Sequence, residues 1–400
     1  MESLKELYKI GVGPSSSHTM GPQRAAKEIL KMYPQASHFH VDLHGSLALT
    51  GKGHLTDWII EQTFSPLSVS FSFKSDTLPE HPNGMIFHIY KDEQEIGSET
   101  VYSVGGGTIR FAGEHEKKTK DIYPHHSMKE ILQYVDKQGI SLYDYVLEYE
   151  DDDIVDYLYK IIEAMFASVK NGLTKEGVIQ GKLQLKRVAK SMYQQAMNTR
   201  NESERERLFL ISYSYAVAEE NADGGMVVTA PTCGASGVVP ATLYFCYKQR
   251  GIRKRDLVKA LAVGGLFGNV IKENATISGA DGGCQAEIGS ACAMASAMMA
   301  WNSELNNSLI EYAAEMGLEH NLGLTCDPVG GYVQIPCIER NSFAALRALA
   351  AALLAKQLGY VRQNKVSFDT IVKVMKETGK DLSSAYKETS LGGLAKEFGM

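Results

Sequence analysis

Ser278-Gly-Ala-Asp-Gly-Gly-Cys284 begins a stretch that ends in Thr325-Cys326-Asp327-Pro328 and Ile335-Pro336-Cys337-Ile338-Glu339-Arg340-Asn341. Between its ends the segment is rich in Ala, Gly, Ser and Met. That composition reads as close-packed helix, because such small side chains let helix backbones approach one another, and Ala carries the best helix propensity. The stretch therefore points to a compact helical bundle whose loops bring cysteines together. Cys326 and Cys337 are eleven residues apart, and Cys284 precedes Cys326 by 42. A zinc ribbon needs two C-x-x-C pairs, and a bacterial ferredoxin gathers its cysteines in one run. Neither pattern fits. Three thiolates from separate loops would leave one iron of a four-iron cluster without a protein ligand, and such an iron is a Lewis acid. Free cysteines also pack as small apolar side chains, so on residue chemistry alone both readings stand.

Outward from this stretch, glycine-rich loops alternate with apolar helices from Asn221 onward. Thr229-Ala-Pro-Thr232-Cys233-Gly-Ala-Ser236-Gly and Asn274-Ala-Thr276-Ile-Ser278-Gly-Ala-Asp281-Gly-Gly are polar loops that read either as inter-helix connections or as a substrate wall. Cys246 and Cys292 sit in apolar helical patterns and read as core. Ile154, Leu158, Ile161, Met165 and Val169 recur at helical spacing behind the capping carboxylates Asp151–Asp153. Glu202–Glu220 reads as a further amphipathic helix.

The first ~120 residues have another rhythm. An opening helix is expected over Leu4–Ile10, and another begins with Pro22 in its first turn and runs through Ala25, Ala26, Ile29 and Leu30. Phe39, Val41 and Leu43 alternate with His38, His40, Asp42 and His44, which is the pattern of a half-buried strand. Leu67 to Phe73 alternates with serines, and Met85–Tyr90 and Glu99–Val104 add two more strands, the first after the turn signal Asn83-Gly84. The fold class expected is an α+β N-terminal lobe followed by a mostly all-α catalytic domain, with the lobe at 1–122, a helical connector at 123–170 and the cysteine-bearing domain at 171–400.

Three lobe motifs carry chemistry. Pro14-Ser15-Ser16-Ser17-His18-Thr19 places four hydroxyls and an imidazole before a helix. One hydroxyl would suffice as a cap, and a helix N-terminus also attracts anions such as a carboxylate. Gly51-Lys52-Gly53-His54-Leu55-Thr56-Asp57 presents a histidine at a loop tip, either simply solvated or a base for α-proton abstraction. Ser103-Val104-Gly105-Gly106-Gly107-Thr108 lacks the remainder of a P-loop and reads as a tight turn.

Composition narrows the function classes. A net charge of −6 and a pI near 6.0 argue against nucleic acid or anionic membrane as a constitutive partner. Six cysteines among 400 residues are too sparse for a disulfide scaffold. The N-terminus has no signal-peptide pattern, and Phe343–Leu358 is too short and too charged to cross a bilayer. The expected compartment is the cytoplasm, where thiols stay reduced.

Together these motifs resemble those of bacterial iron–sulfur L-serine dehydratase in its single-chain form. Gly11-Val-Gly-Pro-Ser-Ser-Ser-His-Thr, Gly-Ser-Leu-Ala-Leu-Thr-Gly-Lys-Gly-His54 and Tyr102-Ser-Val-Gly-Gly-Gly are similar to that family's β-lobe motifs. Val228-Thr-Ala-Pro-Thr, Ile277-Ser-Gly-Ala, Gly283-Cys284-Gln, Met316 through Val329, Pro336-Cys337-Ile-Glu-Arg-Asn341 and Glu377-Thr-Gly-Lys-Asp are similar to its α-domain motifs. The resemblance implies a [4Fe–4S] cluster on Cys284, Cys326 and Cys337, a base at His54, and His18 orienting substrate or sharing proton transfer. It also implies substrate contacts at Ser15, Ser16, Ser17 and Thr19, and the polar loop leading to Cys284, read as a substrate wall, adds Asn274 and Ser278 as expected contacts. The implied reaction is loss of water from L-serine, giving pyruvate and ammonia, within serine catabolism and gluconeogenesis, in a homodimer with no nucleic-acid or membrane partner.

Three departures qualify the resemblance. Some relatives end in a cysteine that fills the fourth iron position, whereas this sequence ends Glu397-Phe398-Gly399-Met400, which implies a small resting ligand and greater oxygen sensitivity. Cys233 stands where Asn is expected, which removes one substrate contact and adds a candidate fourth thiolate. The stretch between His54 and Met85 is shorter than in other single-chain members. Rival readings are a pyridoxal-phosphate dehydratase using Gly105–Gly107, for which no Schiff-base lysine stands out, a cysteine desulfidase, and a serine-binding sensor with a structural metal.

Overall fold

Strand β1 (Ile10–Val12) stands apart from the lobe sheet that follows it, formed by β2 (His38–His44), β3 (Ser68–Lys74), β4 (Gly84–Lys91), β5 (Gln94–Gly105) and β6 (Thr108–Phe111). The computed structural model describes residues 1–114, 121–388 and 392–398. The sheet order is β3-β2-β4-β5-β6. Only β2 and β3 run parallel, so the chain between them must cross over the sheet. The helices Ser46–Leu49 and Thr56–Phe64 make that crossing and hold the His54 loop beyond the C-terminal end of β2.

Period-two alternation decides which sheet face is covered. Phe39, Val41, Leu43, Phe87 and Ile89 point at the helices Gly21–Met32 and Thr56–Phe64, whose Ala25, Ala26, Ile29, Ile60 and Phe64 complete the lobe core. Phe39 stacks on Phe64 with ring centroids 4.0 Å apart, and burying such a side chain contributes roughly 1.5–3 kcal/mol. The opposite face carries His40, Ser70 and Ser72, joined to one another by hydrogen bonds. Asp42 and His44 on this face are more buried than simple alternation implies, because Lys74 and His88 close over Asp42. Gly105, Gly106 and Gly107, all at positive φ, make the expected tight turn. That turn leads into β6, which the sequence reading did not foresee.

The opening helix expected over Leu4–Ile10 is only one turn, Leu4–Glu6, and Ile10–Val12 is extended. Tertiary packing overrides local propensity here. Met1, Leu4, Leu7 and Tyr8 sink into the helical core, and β1 pairs antiparallel with β7 (Met226–Val228). The chain start is therefore built into the second half of the molecule.

That half is helical, and Ser290–Asn302 is its enclosed centre, with every residue from Ser290 to Ala300 buried. Small residues make the enclosure possible: a Cβ added to Gly317 would lie 2.5 Å from Ser296 Oγ. Ile154–Thr174 buries its expected stripe. Tyr123, Ile131, Tyr145 and Phe166 of the 123–170 stretch lie in the same apolar cluster.

Two local expectations fail. Asp153 flanks the helix start without capping it, since its carboxylate binds Lys5 Nζ at 2.5 Å instead. Glu202–Ala222 is not amphipathic around its axis; its polarity runs along it, from an exposed first turn to a last turn with Glu219, Glu220 and Asn221 all buried.

Candidate active site

The hydroxyls of the serine loop are mostly spent on shaping a single wide helical turn, Ser16–Met20, that feeds into Gly21–Met32. Ser15 Oγ accepts the His18 N–H at 3.1 Å, and the Met20 N–H reaches back five residues to the Ser15 carbonyl. Such wide turns recur at functional sites because they displace a side chain from the regular helical position. The turn is clamped from three sides. Thr56 Oγ1 donates to the His18 carbonyl at 2.6 Å, Ser103 Oγ to the Ser17 carbonyl at 2.7 Å, and Asn221 Nδ2 to the Pro14 carbonyl at 3.0 Å.

This clamping drives His18 against His54, with ring centroids 4.6 Å apart and both side chains buried. His18 has both nitrogens engaged, Nδ1 with Ser17 Oγ and Nε2 with Ser46 Oγ, each at 2.9 Å. His54 differs. Its Nδ1 lies 2.9 Å from the Thr50 carbonyl, which can only accept, so the proton sits on Nδ1 and Nε2 keeps its lone pair. Desolvation pulls both imidazoles down to about 4, so both are neutral near pH 7, as a proton acceptor must be.

The Cys284, Cys326 and Cys337 side chains line one chamber with His54, Ser15, Glu287 and Glu388. Cys284 immediately precedes the helical turn Gln285–Gly289, and Cys337 opens Cys337–Leu358; helix N-termini favour a negative sulfur. Cys326 sits in a loop fixed by its own N–H, which donates to the Tyr386 carbonyl at 2.7 Å. Burial pushes the Cys284 thiol up to about 11 and raises those of Cys326 and Cys337 as well. Burial also works against the Arg340 charge, yet the three sulfurs around it more than offset that and hold its pKa up. One guanidinium cannot balance three thiolates, so this donor set suits a more strongly cationic centre. Among the described residues no three His, Cys, Asp or Glu side chains converge tightly enough to share a single ion. A cluster takes one thiolate per iron and so does not require three donors on one ion.

A second cavity, of about 370 Å³, adjoins the chamber and leads outward past Ser16, Ser17, Gly105, Thr232 and Ser278. Glu287 and Glu388 line both spaces. Glu287 Oε1 accepts from Thr232 Oγ1 at 2.7 Å, and burial, reinforced by Glu388, pushes its carboxyl up to about 7.

The structure thus gathers Ser15, Ser16, Ser17, His54, Ser278 and the three cysteines around two joined spaces, with His18 fully buried against the His54 ring. Two expected substrate contacts lie elsewhere. Asn274 ends the helix Lys254–Asn274, where its Nδ2 binds the His126 and Val270 carbonyls at 2.7 and 2.9 Å; it caps helix rather than facing the chamber. Thr19 is fully buried behind the loop, donating to the His54 carbonyl at 2.7 Å and accepting from the Ser15 N–H at 3.1 Å. Cys233 is no fourth thiolate: its sulfur packs 3.4 Å from Met20 Sδ, while Gly234 is the neighbour that lines the chamber. The chain-end expectation falls on residues 399–400, which lie outside the described residues.

Sequence reasoning missed Glu287, Arg340 and Glu388. The first two had a signal, since each lies three residues after a cysteine and so shares its helical face. Gly279 was readable only in three dimensions: a Cβ there would sit 2.9 Å from Glu287 Oε2 and 3.3 Å from Cys326 Sγ.

Comparison with known proteins bears on the whole chain. Residues 85–395 match the family described as Serine dehydratase alpha chain, and residues 3–62 match Serine dehydratase beta chain. Among curated proteins, an L-serine dehydratase of Escherichia coli is 38% identical, covering 99% of this chain and 99% of the relative. One from Streptomyces coelicolor is 39% identical over 98% of each chain, and one from Helicobacter pylori 36% over 98% of each. No helix among the described residues is long and apolar enough to cross a membrane.

Proposed function

The chain belongs to the serine dehydratase family, with its beta-type and alpha-type regions in one polypeptide, and from that premise we propose that it is an L-serine ammonia-lyase. It removes water from L-serine and releases pyruvate and ammonia. The observation that carries this reading is that His54, with His18 packed against its ring, and the three thiols, distant in sequence, line one chamber.

Cys284, Cys326 and Cys337 are the residues that would hold a [4Fe–4S] cluster, which when bound supplies Lewis acidity for the departure of hydroxide. The chain's own residues do the rest. Ser16 and Ser17 face the outer cavity and Ser15 the inner chamber, so the serine turn receives the substrate carboxylate with hydroxyls and N–H groups. His54 Nε2, the free lone pair, takes the α-proton. His18, engaged at both nitrogens, holds the turn and the His54 ring in place. Orienting a small substrate between fixed groups accounts for much of the rate such a site gains. The aminoacrylate released tautomerises to an imine and hydrolyses in water to pyruvate.

The finer parts of this reading, namely the iron–sulfur cofactor, a cytoplasmic homodimer, and a role in serine catabolism and gluconeogenesis, rest on the donor chemistry and the family likeness. The test is an anaerobic assay of the purified chain with L-serine. Stoichiometric pyruvate and ammonia are expected; binding of serine without any product would mean a sensor instead.

A further inference from the structure

Glu388 lies in the C-terminal segment, more than 300 residues from both histidines in sequence, yet its carboxylate reaches them. Its Oε1 stands 3.4 Å from His18 Nδ1 and 3.9 Å from His54 Nε2. Only 11% of its side chain is exposed. The backbone at Glu388 has φ +46°, a left-handed conformation that residues other than glycine rarely adopt and that is kept where the surroundings enforce it. Those surroundings are the thiol loop itself: Cys326 donates to the Tyr386 carbonyl at 2.7 Å and pairs in parallel with Lys387. The loop that delivers one cysteine therefore also aims this carboxylate.

We propose that Glu388 is the counter-ion of the imidazolium that His54 becomes, and so a positioning residue for proton abstraction. The inference rests on the serine-lyase reading above. In the step concerned, the Cα–H bond of L-serine breaks and its proton joins His54 Nε2. The freed electron pair forms the Cα–Cβ double bond, and hydroxide leaves Cβ with the C–O pair. The ring thereby gains a positive charge in a buried chamber, with the neutral ring of His18 beside it. An isolated charge there is costly. Among the described residues, the His54 ring is approached by His18, the Thr50 carbonyl and Glu388; Glu287 and the three thiols line the same chamber, and Glu388 is the carboxylate that stands 3.9 Å from His54 Nε2. At 3.9 Å it is too far for a hydrogen bond to the neutral ring but close enough to attract the charged one strongly. The arrangement is therefore matched to the charge that develops during reaction rather than to the resting state.

Glu388→Gln in the cluster-loaded enzyme keeps the shape and removes the charge. The expected result is a kcat lower by about 10²-fold with KM changed less than about threefold, iron content and thermal midpoint as in the parent, and a larger isotope effect with α-deuterated L-serine. In a His54→Gln background the same change should have little further effect on kcat. Glu388→Asp, which keeps the charge, should lose less than the Gln variant. An unchanged or raised kcat in Glu388→Gln overturns the proposal, as do equal losses in the Gln and Asp variants, which would implicate shape. A parent enzyme that makes no pyruvate removes the lyase reading and this inference with it. A working parent alongside an equally fast Gln variant removes this inference alone.

Discussion

Two pairs of glutamates in this molecule, one buried and one partly buried, meet opposite fates. At the end of the helix Glu202–Ala222, Glu220 is gripped by Arg187 and Lys175 at 2.8 Å each, and Glu219 Oε1 accepts the Val188 N–H at 2.7 Å. Arg187 also binds Asp223 at 2.7 Å. Glu220 and Asp223 there have cationic partners, Glu219 has only the Val188 and Ala189 N–H groups and burial pushes its carboxyl up to about 7, and no cavity adjoins them among those described above. Around the chamber, Glu287 has one hydroxyl partner, and Glu388 faces two neutral histidines. Buried charges are tolerable only when paired. Glu220 obeys that rule with two cations and Glu219 is held by backbone donors; the chamber pair has fewer partners and borders a cavity. Under-partnered polar groups around a cavity mark the site, and saturated ones mark the scaffold.

The contrast can be broken most severely at the thiols. Cys326→Ala or Cys337→Ala removes a donor no neighbour can replace, so bound iron and pyruvate formation should fall together by more than about 10³-fold. Iron analysis and a coupled pyruvate assay on the same sample check this. His54→Gln keeps a side chain of similar reach without a base; kcat should drop about 10²–10⁴-fold while iron content stays at the parent value.

On the scaffold side, Arg187→Met should leave Glu220 buried with only the half-exposed Lys175 and cost about 3–5 kcal/mol of stability. Denaturant unfolding measures that loss, and kcat per folded molecule should not change. A variant that folds normally but loses kcat would erase the distinction between the two regions. The smallest effect belongs to Asn274→Ala, which deletes two helix-end hydrogen bonds for about 1–2 kcal/mol and should leave kcat and KM unaltered.

The same contrast explains what was legible in the sequence. Elements whose burial follows a local period were readable: β2 from Phe39, Val41 and Leu43, and Ile154–Thr174 from its stripe. Residues whose chemistry is carried by type, the three cysteines and the Ser15–His18 run, could be nominated one by one. Pairings between distant segments were not readable, because no local pattern encodes a partner. β1 with β7, Cys326 with Lys387 and Glu388 with the histidines are all of this kind. Asn274 misled for a related reason: an amide beside a glycine-rich loop looks the same in sequence whether it meets a substrate or, as here, the His126 carbonyl.

The central claim is that the thiol floor and the histidine wall act on one substrate molecule. It is tested most directly by adding iron and sulfide to metal-free protein in steps, without air, and measuring the rate of pyruvate release from L-serine at each step. A rate that rises in proportion to bound iron and levels off near about four irons per chain is the predicted result. Serine turnover by iron-free protein, or a fully loaded protein that turns over none, would contradict it.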